Sequence, residues 1–323
     1  MSLAPILVSV YTRKDHLARC IDSLKNNPLS VESLLYIVSD AAGSPDDLQK
    51  VESVRTYIDR ITGFAQVRPI LRATNLGSFS INNTVGDVLA EHGRVILLED
   101  DNIVSPNFLA YMNDALEFYD GDPSVFSITG YNYPVQIPKS YPYTVYKWQG
   151  YGGWGVGYWR NRYETIEWAY PSLAEIAKGE PLRCELDRIA EHLCRQMTYD
   201  ITNNRKTGDT MLIYFMYKRG LYSIFPVISK VRNTGHDGTG EHGGVTDRYI
   251  RQPIDPGLSY QFVRDLQPDE QINRVLWHHF RTPFKAKVIM ALSRYVPEPQ
   301  KKWLKQRLFA RGTVGAAQYT RQG

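Results

Sequence analysis

Three consecutive carboxylates, Glu99, Asp100 and Asp101, are the side chains of this chain whose types and spacing best suit chemistry. They directly follow a run of four apolar residues, 95–98, which predicts a strand buried on both faces. Adjacent carboxylates repel one another and titrate as a coupled group, so a nearby cation stabilises them. Hard oxygen ligands suit Mg²⁺ or Mn²⁺, and Mg²⁺ often bridges carboxylates and substrate phosphates. The alternative is a strand that ends in a solvated acidic turn.

The segments on either side of the acids alternate between strand and helix patterns. Apolar, β-rich runs predict strands at residues 5–11, 34–39, 67–71, 95–98, 125–130 and 221–228. Apolar residues at helical spacing predict helices at residues 15–24 and 46–61. A capping Ser105 followed by Pro106 predicts a helix at 107–119, and helices are also expected at 78–92, 160–168, 182–197 and 209–219. This order predicts an α/β fold with a mostly parallel, Rossmann-like central sheet flanked by helices. Such sheets bind ligands beyond the carboxyl ends of their strands, where the three acids are expected.

Composition is that of a globular enzyme-sized chain. The 323 residues are 43% hydrophobic and 22% charged, with a net charge of +4, so no nucleic-acid partner is expected. The three cysteines form no C-x-x-C pair, and a sparse, odd count fits a reducing cytosol. The first ten residues have no basic segment of a secretory signal, and no apolar stretch reaches 18 residues. The expected location is therefore cytoplasmic.

Seven short motifs follow one another between residues 5 and 244. They are Val10-Tyr-Thr-Arg13, Val38-Ser-Asp40, Asn75-Leu-Gly77, Glu99-Asp-Asp-Asn102, the glycine- and aromatic-rich segment 150–160, Thr207-Gly-Asp209 and the glycine-rich segment 229–242. In this order they resemble the GT-A class of nucleotide-sugar glycosyltransferases. The likeness is to the inverting transferases of glycosyltransferase family 2 and of the N-acetylglucosaminyltransferase I type. Each motif is weak by itself, whereas their order and spacing together are specific.

The resemblance implies a donor site that is built from the first half of the chain. Tyr11 and Arg13 would contact the base or the phosphates of the nucleotide, since an arginine fork suits oxyanions and planar rings. Asp40 would accept a hydrogen bond from a uracil ring. Asp100 would contact the ribose or a metal-bound water, and Glu99 would reach a sugar hydroxyl.

The same resemblance implies the metal ligands, the catalytic base and the remaining donor contacts. Asp101 would bind Mn²⁺ or Mg²⁺ directly, and His242 is a second candidate ligand. Asp209 would be the general base for the acceptor hydroxyl, or else a helix cap, and glycine precedes it where tryptophan is common. Trp154 would form one wall of the donor or acceptor site, or else it would pack in the core. Arg232 would offset the charge of the leaving nucleotide from a mobile loop, residues 232–247, that closes over the donor.

The expected activity is a metal-dependent, inverting transfer of a sugar from a nucleoside diphosphate, UDP by resemblance, to a hydroxyl of a glycan or lipid-linked acceptor. Such a reaction would serve polysaccharide assembly at a bacterial cell surface. One alternative is a nucleotidyltransferase that makes a nucleotide sugar. Residues 11–15 contain no glycine, whereas those enzymes carry a glycine-rich basic fingerprint after the first strand. The other alternative is a carbohydrate-binding protein without catalysis.

The chain is expected to divide at residue 250. Residues 1–250 form the predicted catalytic domain, with a donor half of about 1–130 and an acceptor half of about 131–250, and residues 251–323 form a helical extension. Nine lysines and arginines and one acid lie between Arg281 and Arg311, among large apolar residues. Helices with a basic and an apolar side lie on anionic membranes, which predicts peripheral membrane contact. The alternative is a C-terminal helix packed on the catalytic domain or on another subunit.

Overall fold

The computed structural model describes residues 2–240 and 246–281 of the chain. The strands are β1 Ile6–Val10, β2 Leu34–Ser39, β3 Gln66–Leu71, β4 Arg94–Glu99, β5 Asn102–Val104, β6 Val125–Thr129, β7 Val145–Trp148, β8 Val156–Trp159, β9 Tyr222–Pro226 and β10 Val231–Asn233. The helices are α1 Lys14–Lys25, α2 Leu48–Ile58, α3 Ile81–His92, α4 Phe108–Phe118, α5 Arg160–Tyr163, α6 Pro181–Ile189, α7 Leu193–Thr202, α8 Gly208–Arg219, α9 Asp247–Ile250 and α10 Glu270–Phe280.

Eight strands form one central sheet in the order β3-β2-β1-β4-β8-β6-β9-β7, and β5 pairs with β10 in a second, small sheet. β1, β2, β3 and β4 are parallel, so their carboxyl ends meet at one edge. β8 runs antiparallel to β4, with Val156 opposite Leu97. The residues just before β8 therefore lie at the edge where the parallel strands end.

Helices cover the sheet on both faces, because successive strand side chains point to opposite sides. On β1, Ile6 and Val8 face a first core, shared with α1, α2 and α4. Leu7 faces a second core, shared with α3, α6, α7, α8 and α10. The apolar residues of α1 recur at helical spacing, and Leu17 and Ile21 are fully buried. The predicted α/β class, with a mainly parallel sheet between helices, is confirmed.

Several predicted elements differ from those observed. The helix predicted at residues 182–197 is two helices, because Ala190 is extended and the turn lets both α6 and α7 bury apolar residues in the second core. Of the helix predicted at residues 160–168, only α5 is helical. The predicted loop at residues 232–247 begins with β10 and ends in α9, and its residues 241–245 lie outside the described residues. β5, β7, β8 and β10 were not predicted, because strands of three or four residues carry little periodicity.

Residues 251–281 pack against the rest of the chain. Tyr260 and Phe262 contact the ring of Tyr111 in α4, at ring-centroid distances of 5.3 Å and 5.5 Å. In α10, Ile272 and Leu276 are buried in the second core. This part of the predicted extension therefore shares both cores with the strands and helices that precede it. A boundary near residue 250 stays a prediction, and the basic segment 282–311 lies outside the described residues.

Candidate active site

The three acids lie at the carboxyl end of β4, beside the end of β1. Glu99 is in register with Ser9, and the Asp100 N–H donates to the Ser9 carbonyl at 3.1 Å. Asp100 and Asp101 form the turn between β4 and β5, the acid turn, and they are 2% and 5% exposed. Two adjacent buried carboxylates require a compensating charge or hydrogen-bond donors.

Arg13, three residues beyond β1, supplies that charge. Its Nε donates to Asp100 Oδ2 at 3.1 Å, and its Nη2 bonds to Asp100 Oδ1, so the contact is bidentate. The same Nη2 lies 2.9 Å from Asp101 Oδ2. Burial lowers the pKa of Arg13, but the charges of Asp100 and Asp101 outweigh it, and the pKa is raised. Burial raises the pKa of Asp100 to about 7, against the opposing effect of Arg13. Arg13, expected on the donor, binds the acids in this structure.

Asp101 is held by donors from two strands. Its Oδ1 accepts from the Asn102 side chain at 2.9 Å and from the Asn233 side chain at 2.7 Å. Its carbonyl accepts from the Thr234 N–H at 2.8 Å. Both asparagines reach Asp101 because β10 pairs antiparallel with β5, with Asn233 directly opposite Asn102. The pairing of the small sheet therefore fixes the orientation of this carboxylate.

Gly235 closes on the other oxygen of Asp101. Its N–H donates to the Asn233 side-chain oxygen at 2.8 Å. A Cβ at residue 235 would lie 1.9 Å from Asp101 Oδ2, so only glycine allows this approach of the backbone. Asn102, Asn233 and Gly235 were not among the predicted site residues. Their signal was present, since Asn102 follows the acids and Asn233-x-Gly235 stands in the glycine-rich segment.

Glu99 and Asp209 lie close enough for their charges to interact. Glu99 is exposed to solvent at the end of β4. Desolvation by nearby protein atoms, followed by the charges of Asp101, Asp209 and Asp100, raises the pKa of Glu99 well above its ordinary value. Asp209 lies in the first turn of α8, and its Oδ1 is 3.6 Å from where a Cβ of Gly153 would be. The predicted base thus lies beside the loop before β8 and within electrostatic reach of Glu99.

Trp154 belongs to that loop and packs in an aromatic cluster. Its ring centroid lies 4.7 Å from that of Tyr131, 5.7 Å from that of His236 and 5.5 Å from that of Tyr249, each in an edge-to-face arrangement. Trp154 is only half-buried, so part of the side chain remains accessible. The structure therefore gives Trp154 the packing role, and its role as a sugar-binding wall stays a prediction.

Tyr11 and Asp40 brace the loops at the ends of β1 and β2. The Tyr11 hydroxyl accepts from the Gly43 N–H at 2.8 Å. The Asp40 carboxylate accepts from the Gly77 N–H at 2.9 Å and from the Leu76 N–H at 3.1 Å. A uracil ring would compete with these backbone donors for Asp40. Base recognition by Asp40 and Tyr11 stays a prediction. In this structure, Asp40 holds the turn at residues 75–77 through its hydrogen bonds.

The remaining predicted site residues are Arg232 and His242, in the glycine-rich segment. Arg232 lies in β10 opposite Ile103, and its buried Nε has no hydrogen-bond partner among the described residues. Beyond it, Asp237 Oδ2 lies 3.1 Å from His16 Nε2, which ties the glycine-rich segment to α1. His242 lies outside the described residues, so its role as a metal ligand stays a prediction.

The acid turn suits a hard divalent cation by its chemistry. Glu99, Asp100, Asp101 and Asp209 are carboxylates near enough for their charges to interact, and carboxylate oxygens are the ligands that such cations prefer. The oxygens of Asp100 and Asp101 are nevertheless engaged by Arg13 and the two asparagines. Within residues 2–240 and 246–281 no three His, Cys, Asp or Glu side chains are grouped as a metal centre. Asp101 Oδ2 becomes free for a cation only if Arg13 withdraws from it.

Comparisons with known proteins return structures with low identity. No family model and no curated protein matches the chain. Mannosyltransferase PcManGT from Pyrobaculum calidifontis, solved with GDP-Man and Mn²⁺, is 12% identical over 67% of this chain and 68% of its own, with a TM-score of 0.40. TarS of S. aureus is 15% identical over 56% of this chain, with a TM-score of 0.35, and a form of TarS solved with UDP-GlcNAc is 18% identical over 39%.

The chain spans only 32% and 33% of these two TarS chains. At TM-scores of 0.40 and below, these likenesses do not determine the activity of this chain.

The described helices were also compared with the dimensions of a bilayer. Among the helices of residues 2–240 and 246–281, none has the length and the apolar character that a membrane crossing requires.

Proposed function

We propose that this protein is a metal-dependent, inverting glycosyltransferase that moves a sugar from a nucleoside diphosphate, UDP by preference, to a hydroxyl of a glycan or lipid-linked acceptor. The observation that carries the proposal is that Asp209 lies near enough to Glu99 for their charges to interact, as do those of Asp100 and Asp101. A carboxylate that can act as a base then lies near carboxylates that could hold a cation. Direct displacement of the diphosphate by the acceptor hydroxyl would invert the anomeric carbon.

Asp209, Glu99 and Arg13 have different roles in this proposal. Asp209 accepts the proton of the acceptor hydroxyl, because its carboxylate is exposed in the first turn of α8. Glu99, exposed within electrostatic reach of Asp209, bonds a sugar hydroxyl. Arg13 binds the diphosphate, since its guanidinium fork matches phosphate oxygens.

Asp101 holds the divalent cation in this proposal, and Asp100 contacts the ribose or a metal-bound water. Asn102 and Asn233 orient Asp101, whose second oxygen faces Arg13. When bound, the cation supplies Lewis-acid stabilisation of the departing diphosphate. Trp154, fixed by Tyr131, presents its accessible edge to the donor or the acceptor.

Calorimetry with nucleotides tests this proposal directly. UDP and GDP are titrated into the purified chain with Mn²⁺ and with EDTA, and a panel of nucleotide sugars is then screened for slow hydrolysis. We expect metal-dependent nucleotide binding and hydrolysis of one nucleotide sugar. Asp101→Asn should lose the metal-dependent part, because a neutral amide replaces a hard anionic ligand, at a cost of about 10²–10³ in rate. Asp59→Asn, at the exposed end of α2, is the matched control.

The outcomes separate the candidate functions. Sugar binding without any nucleotide binding would leave a carbohydrate-binding protein and overturn the transferase. Formation of a nucleotide sugar from a nucleoside triphosphate would identify a nucleotidyltransferase instead.

The last part of the proposal concerns the acceptor and the location. A lipid-linked acceptor for cell-surface polysaccharide would be met at the inner face of a membrane by a cytoplasmic enzyme. The basic, apolar segment between Arg281 and Arg311 motivates this part of the proposal, and it lies beyond the described residues.

A further inference from the structure

Arg13 occupies the position on the acid turn that a cation would take. Its guanidinium binds both oxygens of Asp100 and one oxygen of Asp101. On Asp101, the remaining oxygen is held by the side chains of Asn102 and Asn233. Arg13 therefore engages the oxygens of Asp100 and Asp101 that the two asparagines leave free.

The exposure of the three side chains shows which of them can leave. The Arg13 side chain is 20% exposed, whereas those of Asp100 and Asp101 are 3% and 6% exposed. The backbone of Gly235 covers Asp101 Oδ2, and a Cβ there would also lie 2.9 Å from Arg13 Nη1. Of the three side chains, that of Arg13 is therefore the least enclosed by protein.

An anionic ligand would meet Arg13 first. Arg13 is the N-cap residue of α1, and the amino end of a twelve-residue helix carries partial positive charge. The guanidinium fork pairs as well with a phosphate as with a carboxylate. A diphosphate can therefore compete with Asp100 and Asp101 for the same guanidinium.

We propose that Arg13 is a positioning residue that acts as the resting cation of the acid turn, keeping a divalent metal ion off Asp101 until the diphosphate of a nucleotide draws the guanidinium away. This inference rests on the proposed function for the nature of the anion. It makes metal and nucleotide binding cooperative, because each ligand favours the state in which Arg13 has left the acids. By linkage, the nucleotide must strengthen Mn²⁺ binding by the same factor by which Mn²⁺ strengthens nucleotide binding.

Electron paramagnetic resonance of free Mn²⁺ measures this coupling without any turnover. Mn²⁺ is titrated into the wild-type chain and into Arg13→Gln, each with and without UDP, and a titration into UDP alone gives the background. Arg13→Gln should bind Mn²⁺ alone more tightly than wild type, by a factor within the usual range of about 5–150 for coupled sites. UDP should strengthen Mn²⁺ binding to wild type and do so less for Arg13→Gln. Arg19→Gln, on the exposed side of α1, should behave as wild type.

Two results would overturn the inference: Mn²⁺ affinity without nucleotide that is equal in wild type and Arg13→Gln, or a UDP effect of equal size in both. Arg13→Lys guards against a folding defect, since it keeps one charge but loses the bidentate fork and should bind Mn²⁺ with intermediate affinity. If no protein binds UDP, the proposed function fails. The comparison of Mn²⁺ alone still decides whether Arg13 blocks the acids.

Discussion

A methyl group at residue 235 should disturb Asp101 more than any other single carbon added near the site. In Gly235→Ala the new Cβ would lie 1.9 Å from Asp101 Oδ2, whereas real Cβ atoms essentially never come closer than 3.0 Å to such an atom. One of the two groups must therefore move by about 1.1 Å, the difference between these distances. The Arg13 contact at 2.9 Å and the Asn233 contact at 2.7 Å depend on the same carboxylate and should lengthen with it.

The size of the effect follows from that displacement. Overpacking of a filled site costs about 1–3 kcal/mol of unfolding free energy. A misplacement of about 1 Å in a catalytic group can cost about 10²-fold in rate. We therefore expect Gly235→Ala to hydrolyse the preferred nucleotide sugar about 100-fold more slowly and to unfold at a lower urea concentration.

Gly86→Ala is the matched control for this change. Gly86 lies inside α3, and no atom stands within 4 Å of the position of its Cβ. Alanine is the better helix former by about 1 kcal/mol, so this variant should be as active as wild type and somewhat more stable. Wild-type hydrolysis and wild-type unfolding in Gly235→Ala would refute the close approach of residue 235 to Asp101.

Three further expectations concern the base, pH and the basic tail. Asp209→Asn should lower sugar transfer by about 10²–10⁴ and leave the affinity for the nucleotide intact, since a general base acts only on the acceptor; an equal loss in nucleotide calorimetry would make Asp209 a donor ligand. Burial raises the pKa of Asp100 from 3.8 to about 7, so the folded chain keeps a proton that the unfolded chain has lost. The unfolding free energy should therefore fall as pH rises between about 4 and about 7, and it should fall less in Asp100→Asn. Urea unfolding at several pH values measures both proteins. An equal fall in both would show that Asp100 is not the cause. The chain should float with anionic but not with neutral liposomes, in a salt-sensitive manner that is lost when the residues after Pro297 are removed, and no binding to either vesicle type would leave the tail as plain structure.

Much of the fold could be predicted because it depends on local patterns. The apolar run 95–98 predicts a buried strand, and the structure has β4 there, with Val95, Ile96 and Leu98 fully buried. Helical spacing likewise predicts α1 and α2. The pattern failed where tertiary packing overrides it, as at Ala190, whose extended backbone divides the predicted helix 182–197 so that both halves reach the core.

The candidate site was predictable in part. Acids at the end of a buried strand have to lie at the ligand-binding edge of a parallel sheet, whatever the rest of the chain does. Asp209 was predicted from its motif, and the structure brings it near Glu99. The partners of Asp101 were missed, because Asn233 lies 132 residues further along the chain and reaches it only through the pairing of β5 with β10.

The sequence by itself determined the alternation of strands and helices, the position of the acid turn at a strand end and the glycines that permit close backbone approach. These properties depend on residues that are neighbours along the chain, where periodicity and side-chain type act directly. Only the tertiary structure decided that Arg13, 87 residues before Asp100, neutralises the acids, and that β8 runs antiparallel beside β4. Strand order and register select these contacts, and both follow from how the whole chain packs on the two faces of the sheet.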